Sequence, residues 1–186
     1  MKITILLIVK VFMLLVSMPI MAETVTDEFK TTLVKAEQGQ LNAQFNLGLI
    51  YELGLGIPKN TVEALKWYRK AVERGHPDAQ LDLGVMYANG EGTAENSAEA
   101  LKWLRRAAKQ GSAMAQFSLG LMYAYGDGVK ENDTQAVKWY ALAKKQGYEM
   151  ASRNLGNIQA SMSQRQIDDA QRLAARCLAS GYEDCE

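Results

Sequence analysis

The stretch GQLNAQFNLGLIYELGLGIPKNTVEALKWYRKA, residues 39–71, decides the fold because its key residues recur along the chain. Its leading glycine returns every 36 residues, and its Leu-Gly pair, its tyrosine and its tryptophan return at the same spacing. A fixed period of about 20 to 50 residues is typical of proteins built from stacked repeats. The recurring residues are Gly39, Gly75, Gly111 and Gly147; Leu47, Leu83, Leu119 and Leu155; Tyr51, Tyr87 and Tyr123; and Trp67, Trp103 and Trp139.

Each 36-residue unit predicts two helices joined by a short loop. Ala43, Leu47 and Tyr51 share one face of the first helix, because successive residues turn by about 100°. The Gly-x-Gly loop that follows suits a helix end, since glycine readily adopts the left-handed conformation that closes a helix. Asparagines before each second helix, with Glu or Gln three residues later, predict N-caps: Asn60, Asn96 and Asn132. The pattern therefore predicts an all-α chain of antiparallel helix pairs.

A glycine lies inside each first helix, although an interior glycine costs about 1 kcal/mol relative to alanine. Gly48 is the first, and its equivalents are Gly84, Gly120 and Gly156. Because this unfavourable glycine occurs at the same position of every repeat, we infer that it has a packing role. The paired helix is expected to approach so closely that a Cβ would collide with it. The expected collision partner is the recurring tryptophan.

Residues 1–22 do not belong to the repeats and have the form of a secretory signal. Lys2 gives a basic start, an apolar run covers residues 11–18, and Ala22 supplies a small residue for cleavage. Lys10 leaves each apolar run short of the roughly 20 residues that span a bilayer. We predict cleavage after Ala22, a periplasmic or secreted protein, and no stable membrane insertion after cleavage. An uncleaved inner-membrane anchor stays open as an alternative, as does a cytoplasmic adaptor that retains the segment.

The remaining chain divides by repeat register. We predict an N-terminal capping helix at residues 23–38, repeats at 39–74, 75–110 and 111–146, and a degenerate fourth repeat with a C-terminal cap at 147–186. In this last part Gln159 replaces the tyrosine and no Gly-x-Gly loop follows. The sequence from Ser163 to Gln166 predicts a capped last helix that ends near Ser180.

The two cysteines fall on repeat positions that hold small residues on either side of the turn between units. Cys177 occupies the position of Ala71, and Cys185 occupies the position of Ala79. Export would favour a bridge over free thiols. We therefore predict a Cys177–Cys185 disulfide that pins the tail and contributes about 2–3 kcal/mol. A bridged C-terminal cap also favours a monomer.

Charge and residue content argue against nucleic-acid binding and catalysis. Loss of residues 1–22 leaves 19 basic and 21 acidic residues, a formal charge of −2. Nucleic-acid-binding proteins typically carry an excess of positive charge, so this balance argues against such a role. The single histidine, His76, lies in the turn at 75–78. Zinc catalysis needs several ligands, no serine precedes a lysine by three residues, and Gly54-x-Gly56 lacks a P-loop lysine. The sequence predicts no enzyme activity, no catalytic residue, no cofactor and no metal.

The motif Ala-x-Phe-x-Leu-Gly-x-x-Tyr, then Gly-x-Gly, then Ala-x-x-Trp-Tyr-x-x-Ala, resembles the Sel-1-like repeat, a relative of the tetratricopeptide repeat. The resemblance covers about residues 36–160. It implies a right-handed α-solenoid of antiparallel helix pairs and a scaffold or adaptor role. Secreted cysteine-rich members link Cys-x7-Cys, the spacing of Cys177 and Cys185. Because β-lactamase or penicillin-binding activity has been proposed for that group, peptidoglycan or lactam binding, or weak β-lactamase-like activity, is the alternative function. The motif residues are Ala43, Phe45, Leu47, Gly48, Tyr51, Gly54, Gly56, Ala64, Trp67, Tyr68 and Ala71.

Specificity is expected in first-helix positions that vary from repeat to repeat. By resemblance, first helices line the concave side of the superhelix, where a protein or peptide partner would bind. Methionine and tyrosine suit adaptable binding surfaces. The alternative is that these apolar residues only pack between units. The candidate residues are Asn42, Asn46, Leu49, Leu53, Asp78, Asp82, Val85, Asn89, Met114, Ser118, Leu121, Tyr125, Met150, Asn154, Asn157 and Ser161.

Overall fold

The computed structural model describes residues 27–185, in which every regular element is a helix. The segment interpreted as a signal, residues 1–22, lies outside this range. The all-α prediction is confirmed. The helices are α1 (27–37), α2 (Leu41–Leu53), α3 (Thr61–Glu73), α4 (Pro77–Asn89), α5 (Ser97–Lys109), α6 (Ala113–Tyr125), α7 (Asp133–Lys145), α8 (Glu149–Gln159) and α9 (Gln164–Ala179).

Neighbouring helices pack in sequence order and form an α-solenoid. The pairs α2–α3, α4–α5 and α6–α7 make the most extensive contacts, and the contacts α3–α4 and α5–α6 join each pair to the next. Small residues allow the close packing: Ala64, Ala100 and Ala136, which are equivalent positions of three units, are fully buried. Because each unit contacts mainly its neighbours, stability is expected to be shared locally along the stack.

The loops between paired helices follow one design. Gly54, Gly90 and Gly126 end the first helices in the left-handed conformation, with φ of 70°, 69° and 73°. The second glycine of the loop lies against the preceding unit. A Cβ on Gly92 would stand 2.4 Å from the carbonyl oxygen of Thr61 at the start of α3. This loop therefore needs glycine for close approach as well as for its backbone conformation.

The predicted N-caps of the second helices are confirmed. The side chains of Asn60 and Asn96 each accept a hydrogen bond 3.1 Å long, from the backbone amides of Glu63 and Glu99. Asn132 accepts one of 3.0 Å from the amide of Gln135. Each bond satisfies an amide that has no partner within its own helix.

Removal of one of these caps should have a moderate effect on stability. We expect Asn96→Ala to lower the free energy of unfolding by about 1 kcal/mol, because the amide of Glu99 loses its acceptor. Asn96→Asp is the matched control, since it keeps an acceptor at the cap and should stay within about 0.5 kcal/mol of the natural protein. Urea unfolding followed by circular dichroism measures both. Equal losses in the two variants would contradict this role for Asn96.

The interior glycines make the close helix approach that the sequence predicts, but with a different partner. A Cβ on Gly48 would lie 2.5 Å from Cε1 of Tyr68, and one on Gly120 would lie 2.4 Å from Cδ1 of Tyr140. The prediction of a tryptophan partner is therefore wrong. The residue that follows each tryptophan is turned about 100° around the second helix and faces the glycine. Trp67 packs instead with Leu47 and residues of α1.

The last two helices depart from the earlier pairs, because α9 packs on α7 rather than on α8. α8 ends at Ala160, which keeps a right-handed helical backbone where the other first helices end in a left-handed glycine. The two helices therefore lack the extensive contact that joins the paired helices of the earlier units. A Cβ on Gly156 would meet no atom within 4 Å, so the prediction of a closely packed helix at this glycine is wrong.

The predicted start and end of the last helix are confirmed. Ser163 and Gln166 form a reciprocal capping box, and α9 ends with Ser180 as its C-cap. The structure also joins Cys177 and Cys185 in a disulfide whose Cα atoms are 4.5 Å apart. Lys138 of α7 is 2% exposed and donates a hydrogen bond to the carbonyl of Cys185. The bridged tail is thereby fastened to α7.

Candidate binding surface

We call the varying residues of α2, α4, α6 and α8 the first-helix face. Tyr125 is its most exposed aromatic residue, with 79% of its surface accessible, and Leu53, Met114 and Met150 are also exposed. Leu49, Val85 and Leu121 are half-buried against the core. The first group is available to a partner, and the second also packs between units. The other members are Asn42, Asn46, Asp78, Asp82, Asn89, Ser118, Asn154, Asn157 and Ser161.

Three equivalent junctions lie between consecutive first helices along this face. Each combines the residue after the recurring tyrosine position, a floor residue from the second helix, and a residue from the next first helix. Their members are 36 residues apart from one junction to the next. Junction I consists of Glu52, Tyr68 and Asp82; junction II of Ala88, Leu104 and Ser118; junction III of Ala124, Tyr140 and Asn154.

Junction I is acidic and partly buried. The hydroxyl of Tyr68 donates a hydrogen bond of 2.5 Å to Oε2 of Glu52, and it also reaches Asp82. Burial of Tyr68, followed by the hydrogen bond to Glu52, raises the pKa of its hydroxyl far above the ordinary value. Burial raises the pKa of Asp82 to about 7, with the charges of Glu52 and Asp78 adding to the effect. The hydrogen bond from Tyr68 acts in the opposite direction but is the smallest contribution.

The raised pKa of Asp82 should make stability depend on pH. Because the folded state holds this proton up to about pH 7 and the unfolded state releases it near pH 4, stability falls as pH rises between these values. We expect Asp82→Asn to remove this fall and to gain roughly 1–2 kcal/mol at pH 8 relative to the natural protein, allowing for remaining solvent contact. Urea unfolding at several pH values measures it. The control is Glu131→Gln at an exposed loop position; an identical pH profile for both variants would contradict the prediction.

Junction II is a cavity with mostly apolar walls. It has a volume of about 220 Å³ and lies between α4 and α6. Leu104, Leu121 and Tyr125 are among its lining residues. Ala88 and Ser118 occupy the positions that carry Glu52 and Asp82 in junction I. Asp127 also lines the cavity, and its carboxylate accepts a hydrogen bond of 2.9 Å from the hydroxyl of Ser97.

Junction III is a cavity of about 270 Å³ between α6 and α8, with mixed walls. Tyr140 and Asn154 lie in it with a hydrogen bond between their side chains, and Tyr125 again forms part of the wall. Burial raises the pKa of the Tyr140 hydroxyl, an effect that the hydrogen bond with Asn154 reduces. Tyr125 thus contributes to the walls of both cavities.

His76 has a structural role. Its Nδ1 accepts a hydrogen bond of 3.3 Å from the amide of Ala79, so the side chain caps α4. Its ring stacks on Phe45 with centroids 4.4 Å apart. Burial lowers the pKa of His76, which keeps the ring neutral, and the nearby charge of Asp78 reduces this effect. Since a neutral ring has one accepting nitrogen and the cap uses it, His76 is not free to act as a general base.

Residues 27–185 contain no group of three His, Cys, Asp or Glu side chains that could hold a metal ion. No helix in that range is long and apolar enough to cross a membrane. Junction I brings two carboxylates and a hydroxyl together, but without the ligand set of a compact metal site. Its chemistry suits a ligand cation that is recognised by charge and hydrogen bonding.

Two residues of junction I were missed by sequence reasoning. Glu52 lies one position beyond the recurring tyrosine, and its equivalents are Ala88 and Ala124. Tyr68 was named from the sequence only as a motif residue of the repeat. The signal that could have found Glu52 is its failure to repeat, which is the criterion that identified Asp82.

Buried polar residues of the stack were also missed. Nε2 of Gln116 donates to the carbonyl of Ala108 at 3.2 Å, and Gln80 accepts from Gln110 at 2.8 Å. Glutamine at the equivalent positions 44, 80 and 116 was a visible signal. Arg69 is exposed on α3 and donates a hydrogen bond of 2.6 Å to the hydroxyl of Tyr87.

The fold and this surface define a class of protein, the α-solenoids made of stacked helix pairs that present one face of their first helices. The family model of the Sel1 repeat matches residues 41–76, 77–112 and 113–148. The chain belongs to the Sel1 repeat family. Proteins of this family are generally non-catalytic helical scaffolds that mediate protein–protein interactions.

Solved structures support the assignment. The chain is 40% identical to a Sel1 repeat protein from Oxalobacter formigenes, with a TM-score of 0.67; the match covers 77% of this chain and 63% of that one. It is 31% identical to a protective antigen present in uropathogenic Escherichia coli strains that displays an SLR fold, with a TM-score of 0.75 and coverage of 83% and 34%. The chain thus spans less than two thirds of either relative. No curated protein matches the sequence significantly.

Proposed function

We propose that this protein is a non-catalytic scaffold of the bacterial envelope that binds a peptide or protein segment along the first-helix face, the side that the family resemblance makes concave. The observation that carries the proposal is Tyr125. Its ring is 79% exposed and stands between two cavities, although an aromatic side chain of this size gains free energy from burial. Aromatic residues beside cavities are typical anchors of protein interfaces.

The surroundings of Tyr125 fit a partner segment better than a small substrate. Tyr125 lines both cavities, one between α4 and α6 and the other between α6 and α8. Met114 and Met150 extend the apolar surface at the starts of α6 and α8. Methionine side chains adapt to different partners because they are flexible and polarizable. A segment laid across these helices would cover the exposed apolar atoms.

The envelope location rests on the sequence of residues 1–22 and on the disulfide. A bridge between Cys177 and Cys185 persists more readily outside the reducing cytoplasm. Export, cleavage after Ala22 and a monomeric state are parts of this proposal. N-terminal sequencing of the mature protein tests the cleavage, and a first residue other than Glu23 would overturn it.

A capture experiment tests the binding surface. The natural protein and a Leu121→Asp, Tyr125→Ala variant are immobilised and exposed to envelope extract. We expect the variant to retain about tenfold less of the bound proteins, since one charge and one lost anchor at an interface centre each cost about 1 kcal/mol or more. Val62→Asp is the matched control, because Val62 is half exposed on α3, outside the first-helix face.

The outcomes separate the candidate functions. Loss of bound proteins in the double variant, with retention by Val62→Asp, supports the scaffold. Unchanged proteins together with retention of the natural protein on purified sacculi would instead support cell-wall binding. Hydrolysis of a chromogenic cephalosporin faster than by a heat-inactivated sample would overturn the non-catalytic assignment.

A further inference from the structure

We propose that the first-helix face recognises an extended peptide that places a lysine or arginine at junction I and a large apolar residue at junction II, about three residues away along the peptide. This inference rests on the proposed function, because it specifies the chemistry of the segment bound there.

Among residues 27–185, the carboxylates at junction I form no ion pair with a cationic side chain. The ion pairs between residues 27–185 join other residues and include neither Glu52, Asp78 nor Asp82. Glu52 and Asp82 are half-buried and lie on either side of the Tyr68 hydroxyl, whose single hydrogen can serve one carboxylate at a time. An ammonium or guanidinium group from a ligand would supply the missing charge and several hydrogen-bond donors. Such a group also fits the absence of a metal-ligand cluster in the described range.

Junction II favours an apolar side chain at the peptide position that contacts it. The repeat positions that hold Glu52, Tyr68 and Asp82 in junction I hold Ala88, Leu104 and Ser118 in junction II. A ligand side chain that enters the cavity of about 220 Å³ meets the carbons of Leu104, Leu121 and other apolar residues. A charged side chain buried against these carbons would lose its hydration, whereas an apolar one gains free energy from burial. The carboxylate of Asp127, which also lines the cavity, already accepts a hydrogen bond from Ser97. The exposed ring of Tyr125 can then close over the apolar side chain.

The spacing follows from the geometry of the stack. Helices that meet through side chains, as α6 and α8 do, lie about 10 Å apart. Taking this separation for consecutive first helices, one junction follows the next after about 10 Å along the face. An extended peptide advances about 3.3 Å per residue. One junction therefore corresponds to about three residues, which gives the arrangement basic-x-x-apolar in one chain direction or the other.

Selection from a display library of random peptides of about 12 residues tests this, with the full mature chain as bait. We expect enriched peptides to carry Lys or Arg three residues from Leu, Ile, Phe or Met. Fluorescence anisotropy with one enriched peptide then measures affinity. Glu52→Gln with Asp82→Asn should weaken binding about tenfold, because the variant keeps the shape of junction I and removes its charge. Changing the basic residue of the peptide to glutamine should have a similar effect on the natural protein and little on the variant.

The outcomes distinguish this inference from the proposed function. Enriched peptides that bind at Leu121 and Tyr125 without carrying a basic residue are one contrary result, and peptides that bind equally well to Glu52→Gln with Asp82→Asn are another. Either result would still agree with a peptide-binding scaffold, but would overturn the proposed preference for a basic residue at junction I. Enrichment of acidic residues would overturn it as well. A bait that selects no peptide above the background of Leu121→Asp, Tyr125→Ala would contradict both, whereas Val62→Asp should select the same peptides as the natural protein.

Discussion

Gly120→Ala is expected to destabilise the protein by about 2–3 kcal/mol, one of the two largest effects that the structure predicts. The added Cβ would lie 2.4 Å from Cδ1 and Cε1 of Tyr140, well inside van der Waals contact. Tyr140 is 2% exposed and is hydrogen-bonded to Asn154, so its ring has little room to move away. The collision outweighs the gain of about 1 kcal/mol that alanine normally brings to a helix interior.

Gly156→Ala is the matched control, since it makes the same chemical change at the equivalent position of the fourth unit. A Cβ there would meet no atom within 4 Å. We expect this variant to gain up to about 1 kcal/mol through helix propensity alone. Urea unfolding of the two variants measures the difference. If both variants were stabilised, or both lost stability equally, the close approach of α6 and α7 at Gly120 would be contradicted.

The second large effect is expected from the loss of the disulfide. Cys177→Ser with Cys185→Ser should lower the free energy of unfolding by about 2–3 kcal/mol, as loop closure over eight residues predicts. The tail that holds Lys138 against the carbonyl of Cys185 would then be free to leave α7. Because solenoid units interact mainly with their neighbours, hydrogen-exchange protection should fall in α7 and α9 and stay nearly unchanged in α2 and α3.

Reduction provides the control for this experiment. A reductant should bring the natural protein to the stability of the double serine variant and should leave that variant unchanged. Two free thiols in the oxidised, purified protein, detected by mass spectrometry after alkylation, would contradict the bridge. A uniform loss of protection across all helices would contradict the local role of the tail.

The repeat period determined the helix pairs because equivalent residues meet equivalent surroundings in each unit. The capping asparagines and loop glycines could be read from sequence for a related reason, since their roles depend on the local backbone. The partner of Gly48 could not be read in this way. Whether Trp67 or Tyr68 faces the glycine depends on the rotation of α3 about its axis, which only the packed structure shows.

The final part of the chain was harder to predict for the same reason. The packing of α9 on α7 depends on how the chain leaves α8, and at Ala160 it leaves without the left-handed turn of the other units. In the binding surface, Asp82 was a candidate from its variation between repeats. The cluster with Glu52 and Tyr68 required three different helices to be placed together, which sequence periodicity alone does not do.

Crosslinking in cells from residue 125 tests most directly whether the first-helix face binds a partner. A photoreactive amino acid replaces Tyr125, which is 79% exposed between the two cavities. A second probe at Val62, on α3, is the control for random encounters. We predict discrete crosslinked proteins from position 125 that disappear with Leu121→Asp and are absent from position 62. The same products from both positions, or products from 125 that survive Leu121→Asp, would contradict binding on this face.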